Sequence, residues 1–292
     1  MVEKTNSSEN GSNTVSVTER IRSGLLLMSA AECRVADKVL QSPERVMSMS
    51  VTELADLSEA SVGTVIRFCH RAGLKGYQDL KLKLAGDVGS RGQLFAAEVT
   101  DGDSVGDIAA KILRDTSSSF IETAHNIDSV ALERVVKVLL DARRIVFAAI
   151  GTSAPLASDI AYRFASLGLN ATFPADSHVQ HVTARLLHPG DVCFAISHTG
   201  STSETLQVAR AARLAGATTL AVTSFNSSPL TELCHEVIVA GSHEKAFRVE
   251  AMVSRSVHLA VLDVLYTAIA LRDPNARETL ALAAEVVTEH RI

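Results

Sequence analysis

The chain of 292 residues is 47% apolar and 21% charged, with a net charge of −5 and no long repeat or single-residue tract. That balance excludes a fibrous or wholly disordered chain and predicts a folded protein of about two domains. Its four cysteines, Cys33, Cys69, Cys193 and Cys234, form no C-x-x-C pair; they suggest neither a zinc site nor a disulfide framework and read as small core residues in a reducing cytoplasm.

The opening "MVEKTNSSENGSNT" is polar and has no apolar core of the kind a signal peptide needs, so residues 1–16 are expected to be a disordered tail. Residues 17–91 then read as short helices. "SAAECRVADKVLQSPE" starts at a capping residue, Ser29, with Glu32 three positions on, and stops before Pro43, while Val35 and Val39 share a face. "SVTELADLSEASVGTVIRFCHRAGL" predicts two helices about a tight junction. Val51, Leu54 and Ala55 are the apolar face of the first; Val62, Val65, Ile66 and Cys69, at i, i+3, i+4, i+7, are that of the second, and Gly73 ends it.

Such a pair is a helix-turn-helix, whose second helix enters the DNA major groove by its amino-terminal end. Ser61 stands where its N-cap belongs, and Thr64, Arg67 and Arg71 are expected on the face opposite the apolar stripe. Charge supports this by region: residues 15–91 hold 11 Lys+Arg against 9 Asp+Glu, whereas residues 92–292 hold 16 against 22. Arg67, Arg71, Lys75, Lys81 and Lys83 cluster around a single acid, Asp79, which makes a local footprint for double-stranded DNA. The expected contacts are Ser61, Thr64, Arg67, Arg71 and Lys75.

Residues 92–127 read as a helical linker, and from 128 to 292 the pattern changes. "RIVFAAIG", "NATFP", "DVCFAIS", "TTLAVTS" and "EVIVAG" are apolar runs of strand length, and helical stretches alternate with them up to a long helix over 252–271. The predicted fold class is therefore an all-α helix-turn-helix domain followed by an α/β domain with a doubly wound, five-stranded parallel sheet. Right-handed crossovers place every strand's carboxyl end on one edge, where such folds bind ligands. The closest approach to a membrane span, "SVHLAVLDVLYTAIALRD", is interrupted by Asp263, so no membrane is expected.

Two strand ends carry similar chemistry, "IGTSAP" at 150–155 and "ISHTGSTSET" at 196–205. Each leads into a helix, whose free N–H groups and roughly half a positive charge favour an anion. The hydroxyls of Thr152, Ser153, Ser197, Thr199, Ser201 and Thr202 would complete a phosphate cradle, Gly151 and Gly200 would let backbone approach closely, and His198 either contacts the ligand or flanks it. A Walker A loop is excluded because there is no G-x-x-x-x-G-K-[ST], and neither loop reads G-x-G-x-x-G, which leaves a monophosphate on a small hydroxylated carrier. Asp176, His178 and His181 in "DSHVQH" suggest a metal site less well than a helix entry with two partly exposed histidines; no metal and no cofactor are expected.

The segment "VTELADLSEASVGTVIRFCHRAGLKGYQDLKLKLAGD" resembles the helix-turn-helix of the RpiR family of bacterial transcriptional regulators through Ser61, Thr64 and Val65, Arg67 and Phe68, Gly73 and Leu74, and Gly76, Tyr77, Leu80 and Lys81. The second half is similar to that family's SIS domain through "GTSAP" and "ISHTGSTSET". The resemblance covers about residues 17–271 and implies a homodimeric or homotetrameric regulator of carbohydrate metabolism genes, by default a repressor, that binds a palindromic operator and responds to a phosphosugar. It places the phosphate on Ser153, Ser197, Thr199 and Thr202; threonine stands at 199 where the family usually has serine. It also singles out Glu250 and Arg255 in the closing segment, with a structural ion pair the plainer reading of Arg255.

An aldose–ketose isomerase would need a base near the sugar carbons. Glu204, Glu250, His178, His181 and His198 are available, but nothing in the residues relates any of them to a sugar carbon, and sensing requires only binding; no enzyme is expected. The alternatives are an isomerase that retains turnover and a purely architectural DNA binder whose second half only dimerises.

Overall fold

The computed structural model describes residues 16–89, 99, 102–241 and 252–289. Residues 1–15 of the expected tail, and Glu250, lie outside these described residues.

Six helices form the first domain: α1 (Val17–Gly24), α2 (Ala30–Gln41), α3 (Pro43–Ser48), α4 (Val51–Leu57), α5 (Val62–Arg71) and α6 (Tyr77–Gly89). Local chemistry defines their ends. Ser29 and Glu32 close a capping box on α2, Ser50 and Glu53 do so on α4, and the Ser61 hydroxyl accepts from the Thr64 amide at 3.1 Å on α5. The turn between α4 and α5 holds Glu59 at φ 48°, a left-handed conformation uncommon outside glycine. Arg34 secures that turn by donating to the carbonyls of Ser58 at 3.0 Å and Glu59 at 2.6 Å. Ile21, Val35, Val39, Leu54, Val65, Phe68, Cys69, Leu80 and Leu84 make one buried core from all the helices except α3, which adds Val46 and Met47.

A long helix, α7 (Val105–Asn126), runs through the expected linker and packs against the last long helix of the chain. The second domain follows as α8 (Ser129–Leu140), β1 (Arg144–Ala148), α9 (Ala154–Ser166), β2 (Ala171–Thr172), α10 (Ser177–Arg185), β3 (Asp191–Ile196), α11 (Ser203–Leu214), β4 (Thr218–Thr223), α12 (Pro229–Leu233), β5 (Glu236–Val239), α13 (Met252–Arg272) and α14 (Ala276–Glu289). The five strands pair in parallel in the order β2-β1-β3-β4-β5. "NATFP" yields only the two-residue β2, in register with Ile145 and Val146 at the sheet edge.

The alternation of side chains across the sheet sorts sizes as well as faces. Ile145, Phe147, Phe194, Leu220 and Val222 point to the side covered by α8, α9 and α13, where the Phe147 and Phe194 rings stack 5.4 Å apart. Val146, Ala148, Cys193, Ala195 and Ala221 point to the other side and meet the alanine-rich face of α11. Small residues on both partners let α11 lie close to β3, the strand whose end it must serve. Cys69 and Cys193 are buried, as expected of core cysteines, and burial raises both thiol pKa values, that of Cys69 to about 12. Helix α13 is long and apolar enough by length and composition to cross a membrane, yet Val257, Val261, Leu262, Leu265 and Ile269 are buried in the second domain's core.

Candidate functional site

On the first domain, the open face of α5 is formed by Ser61, Gly63, Arg67, His70 and Arg71, all exposed, with Lys75 exposed just beyond. Thr64 does not stand on that face. It is buried, its hydroxyl lies 2.9 Å from that of Ser61, and it accepts from the Arg67 guanidinium at 2.9 Å, so it braces Arg67 from behind. The buried stripe of α5 is accordingly Thr64, Val65, Phe68 and Cys69, with Val62 and Ile66 only partly covered. Arg71, although exposed, is engaged by the Leu27 carbonyl and lies 3.5 Å from Glu32, whose carboxyl is held below its usual pKa by the Ser29 amide and hydroxyl. The sequence missed His70 and Gly63, because helical spacing shows which residues share a face but not how that face is rotated in the fold.

On the second domain, the loops after β1 and β3 open side by side at the strands' carboxyl ends, since those strands are paired along their length. The first turns at Gly151, φ 63°, into a short 3-10 turn, and Ser153 stands at the N-cap of α9 without making a capping bond. The second runs from Ser197 to Thr202, the N-cap of α11, whose side chain likewise makes no capping bond. A hydroxyl at an N-cap ordinarily bonds the helix's own amides; here neither Ser153 nor Thr202 does so. The Ser197 hydroxyl is buried, accepts from the Gly200 amide at 3.2 Å and lies 3.4 Å from that of Thr202. Thr199 and Ser201 bond to each other within the loop, the Ser201 amide donating to the Thr199 hydroxyl and the Ser201 hydroxyl to the Thr199 carbonyl.

Gly200 is required twice over. Its φ is 60°, and a Cβ there would sit 2.2 Å from Ser228 Oγ. Behind the loop, Thr223 donates from its hydroxyl to the His198 carbonyl, and His198 Nδ1 lies 2.9 Å from Ser224 Oγ, which lies 3.0 Å from Nε2 of buried His258. His258 Nε2 also faces the Ala240 carbonyl at 3.0 Å; a carbonyl only accepts, so this nitrogen carries the proton. Burial lowers the His258 pKa to about 4, and the ring is neutral. Under β1, buried Gln180 accepts from the Ala149 amide and donates to the Ala149 carbonyl, fixing the backbone just before the first loop.

These loops line a cleft of about 750 Å³ together with residues of the first domain, among them Ser50, Val62, Ile66, Lys75, Tyr77 and Lys81. Ile150, Gly151, Thr152, Ser153, Ser197, His198, Thr199, Ser201 and Thr202 all line it; Gly200 is buried beneath. Thr205 also lines it, and its buried hydroxyl has no hydrogen-bond partner among the described residues. Gln180, Ser224, His258, Thr205 and Lys81 were not expected at this site. Only the extension of "TSET" to Thr205 left a trace in the sequence; the others depend on chain crossings.

Three of the candidate bases are poorly suited. Glu204 is exposed, with its own backbone amide and the Ser203 hydroxyl holding its pKa down. His178 and His181 are exposed on α10, whose N-cap Asp176 accepts from the Val179 amide. Arg255 is exposed on α13.

Residues 15–91 match the helix-turn-helix domain of the rpiR family and residues 138–268 match the SIS domain. A helix-turn-helix transcriptional regulator of Caldanaerobacter subterraneus is 32% identical over 245 residues, 84% of this chain and 87% of that protein. The "Bifunctional protein glk" of Burkholderia thailandensis is 34% identical over 92% of this chain, which spans only 42% of that longer protein. Among solved structures, the Vibrio vulnificus NanR protein complexed with ManNAc-6P superposes with a TM-score of 0.82 at 29% identity, over 94% of this chain and 99% of that one. With both domains present in this order and a near full-length relative, the chain belongs to the RpiR family of helix-turn-helix transcriptional regulators carrying a SIS domain.

Proposed function

We propose that this regulator binds operator DNA through the open face of α5 and is controlled by a phosphosugar seated on the loops after β1 and β3. The observation that carries this reading is the pair of N-cap hydroxyls, Ser153 and Thr202, left free of their own helices at one cleft. Two adjacent helix N-termini, each with a hydroxyl not spent on its own amides, suit a tetrahedral oxyanion. The NanR neighbour, solved with a sugar phosphate, agrees with this ligand class.

Ser61, Arg67, His70 and Lys75, all exposed, are the proposed DNA contacts, with Thr64 as a brace. Operator binding by two copies follows from the two-fold logic of half-sites. Val179 and Val182 on α10 and Leu186 just beyond it form one exposed apolar stripe that suits self-association. The cleft binds without turnover: Glu204 is exposed, and the His258 ring is buried behind Ser224.

The test is thermal unfolding against a panel of sugar phosphates, each paired with its neutral sugar. A ligand that binds only the folded state raises the midpoint once its concentration exceeds its dissociation constant. One phosphosugar should do so and its neutral partner should not, and Ser197→Ala with Thr199→Ala should remove the shift while operator binding persists. A flat response across the panel, or a shift that survives the double variant, refutes the reading.

A further inference from the structure

A phosphate group carries about −1.5 to −2 charge at neutral pH, and a site that shields it from water needs compensating positive charge as well as hydroxyls. On the second-domain side of the cleft the lining includes no lysine or arginine among the described residues. The two lysines that line it, Lys75 and Lys81, both come from the DNA-reading domain. Lys75 is exposed, and its backbone amide donates to Asp79, the acid that also lines the cleft.

Lys81 is different. It is half-buried, with its ammonium donating to the Met49 carbonyl at 3.0 Å and lying 5.7 Å from the centre of the Tyr77 ring and 5.3 Å from that of Phe225. Phe225 belongs to the second domain, follows β4 and packs 5.5 Å from the His198 ring of the phosphate loop. Ser50 reinforces this contact by donating its hydroxyl to the Ser227 carbonyl across the same boundary. An ammonium has three donors, and among the described residues Lys81 makes one hydrogen bond. Burial lowers its pKa to about 8, opposed by the nearby Glu53 carboxylate, so it remains mainly charged at pH 7. A desolvated cation with two donors to spare at the wall of an oxyanion cleft is arranged to meet an anion.

We propose that Lys81 is a direct ligand of the effector's phosphate, supplied by the helix-turn-helix domain to a cradle built by the SIS domain, so that the bound effector joins the two domains. The proposal rests on the phosphosugar reading above and adds a route for the signal. An effector held by α6 and by the loops after β1 and β3 favours the arrangement in which those elements meet, and by linkage the operator and the effector then alter each other's affinity.

The experiment is calorimetric titration of the full chain with N-acetylmannosamine 6-phosphate, glucose 6-phosphate and fructose 6-phosphate, comparing the wild type with Lys81→Met, Lys81→Arg and the Ser197→Ala, Thr199→Ala double variant. Methionine fills similar space without a desolvated charge, so Lys81→Met should fold. Expected for it are a dissociation constant raised tenfold or more and a weaker salt dependence of effector binding; Lys81→Arg should retain most of the binding. A lysine with a merely structural role would instead leave the salt dependence intact. If Lys81→Met binds like wild type while the double variant does not, the role of Lys81 is overturned and the phosphate loops stand. If none of the three sugar phosphates binds the wild type, or the double variant binds normally, both readings fall together.

Discussion

Gly200→Ala tests how tightly the second phosphate loop is locked to its surroundings. At φ 60° an alanine adopts a left-handed conformation that costs about 1–2 kcal/mol. Its Cβ would also lie 2.2 Å from Ser228 Oγ, 2.7 Å from Ser228 Cβ and 3.2 Å from Thr223 Oγ1. Ser228 cannot swing away freely, because it is buried and forms a capping box with Thr231 on α12, and Thr223 is engaged by the His198 carbonyl. Overpacking of this kind costs about 1–3 kcal/mol. The lower entropy of alanine in the unfolded chain returns about 0.4–1 kcal/mol, leaving a net loss of about 2–4 kcal/mol. Gly151 is the internal control. Its φ is 63°, but nothing lies within 4 Å of a Cβ there, so Gly151→Ala should lose only about 1 kcal/mol. At roughly 2–4 °C per kcal/mol for a domain of this size, thermal unfolding separates the two variants by several degrees. Equal midpoints, or a milder effect at Gly200, would refute the account of the loop's packing.

Arg67→Ala should weaken operator binding by about 1–3 kcal/mol, read by fluorescence anisotropy, and leave effector affinity unchanged; joint loss of both would contradict separate sites. Gln180→Ala leaves the buried amide and carbonyl of Ala149 unpaired and should cost about 2–4 kcal/mol in thermal unfolding, with a loss below 1 kcal/mol as the contrary result. His258 has a folded pKa of about 4 against an ordinary 6.5, so the unfolded state binds more protons between those values and stability falls as pH drops through that window. The loss reaches about 3 kcal/mol by pH 4, and His258→Gln should flatten this limb of the stability profile; identical slopes in the two proteins would exclude His258 as its source.

Several features were legible because they depend on neighbours in the chain. The capping pair Ser29 and Glu32, the N-cap Ser61 and the two strand-end loops are all built from residues within a few positions of one another. The parallel sheet was legible because strands buried on both faces are apolar throughout, as "DVCFAI" is from Val192 to Ile196. By contrast, the rotation of α5 was misjudged at Thr64, whose polarity suggested an open face. In the fold its hydroxyl is satisfied by Ser61 and Arg67, and satisfaction removes the penalty for burying it.

The sequence by itself therefore determined two domains, their order, their fold classes and the hydroxyl-rich loops at the sheet edge, since periodicity and capping act over one or two turns of chain. Only the tertiary structure decided what surrounds those loops. Ser50 meets Ser227 across 177 residues, Gln180 meets Ala149 across 31 and His258 meets Ser224 across 34. Lys81, which in the sequence belongs to a basic cluster suited to DNA, is turned toward the cleft by its bond to Met49 and its contact with Phe225. No local pattern encodes such pairings, because each depends on which faces the whole chain can bury at once.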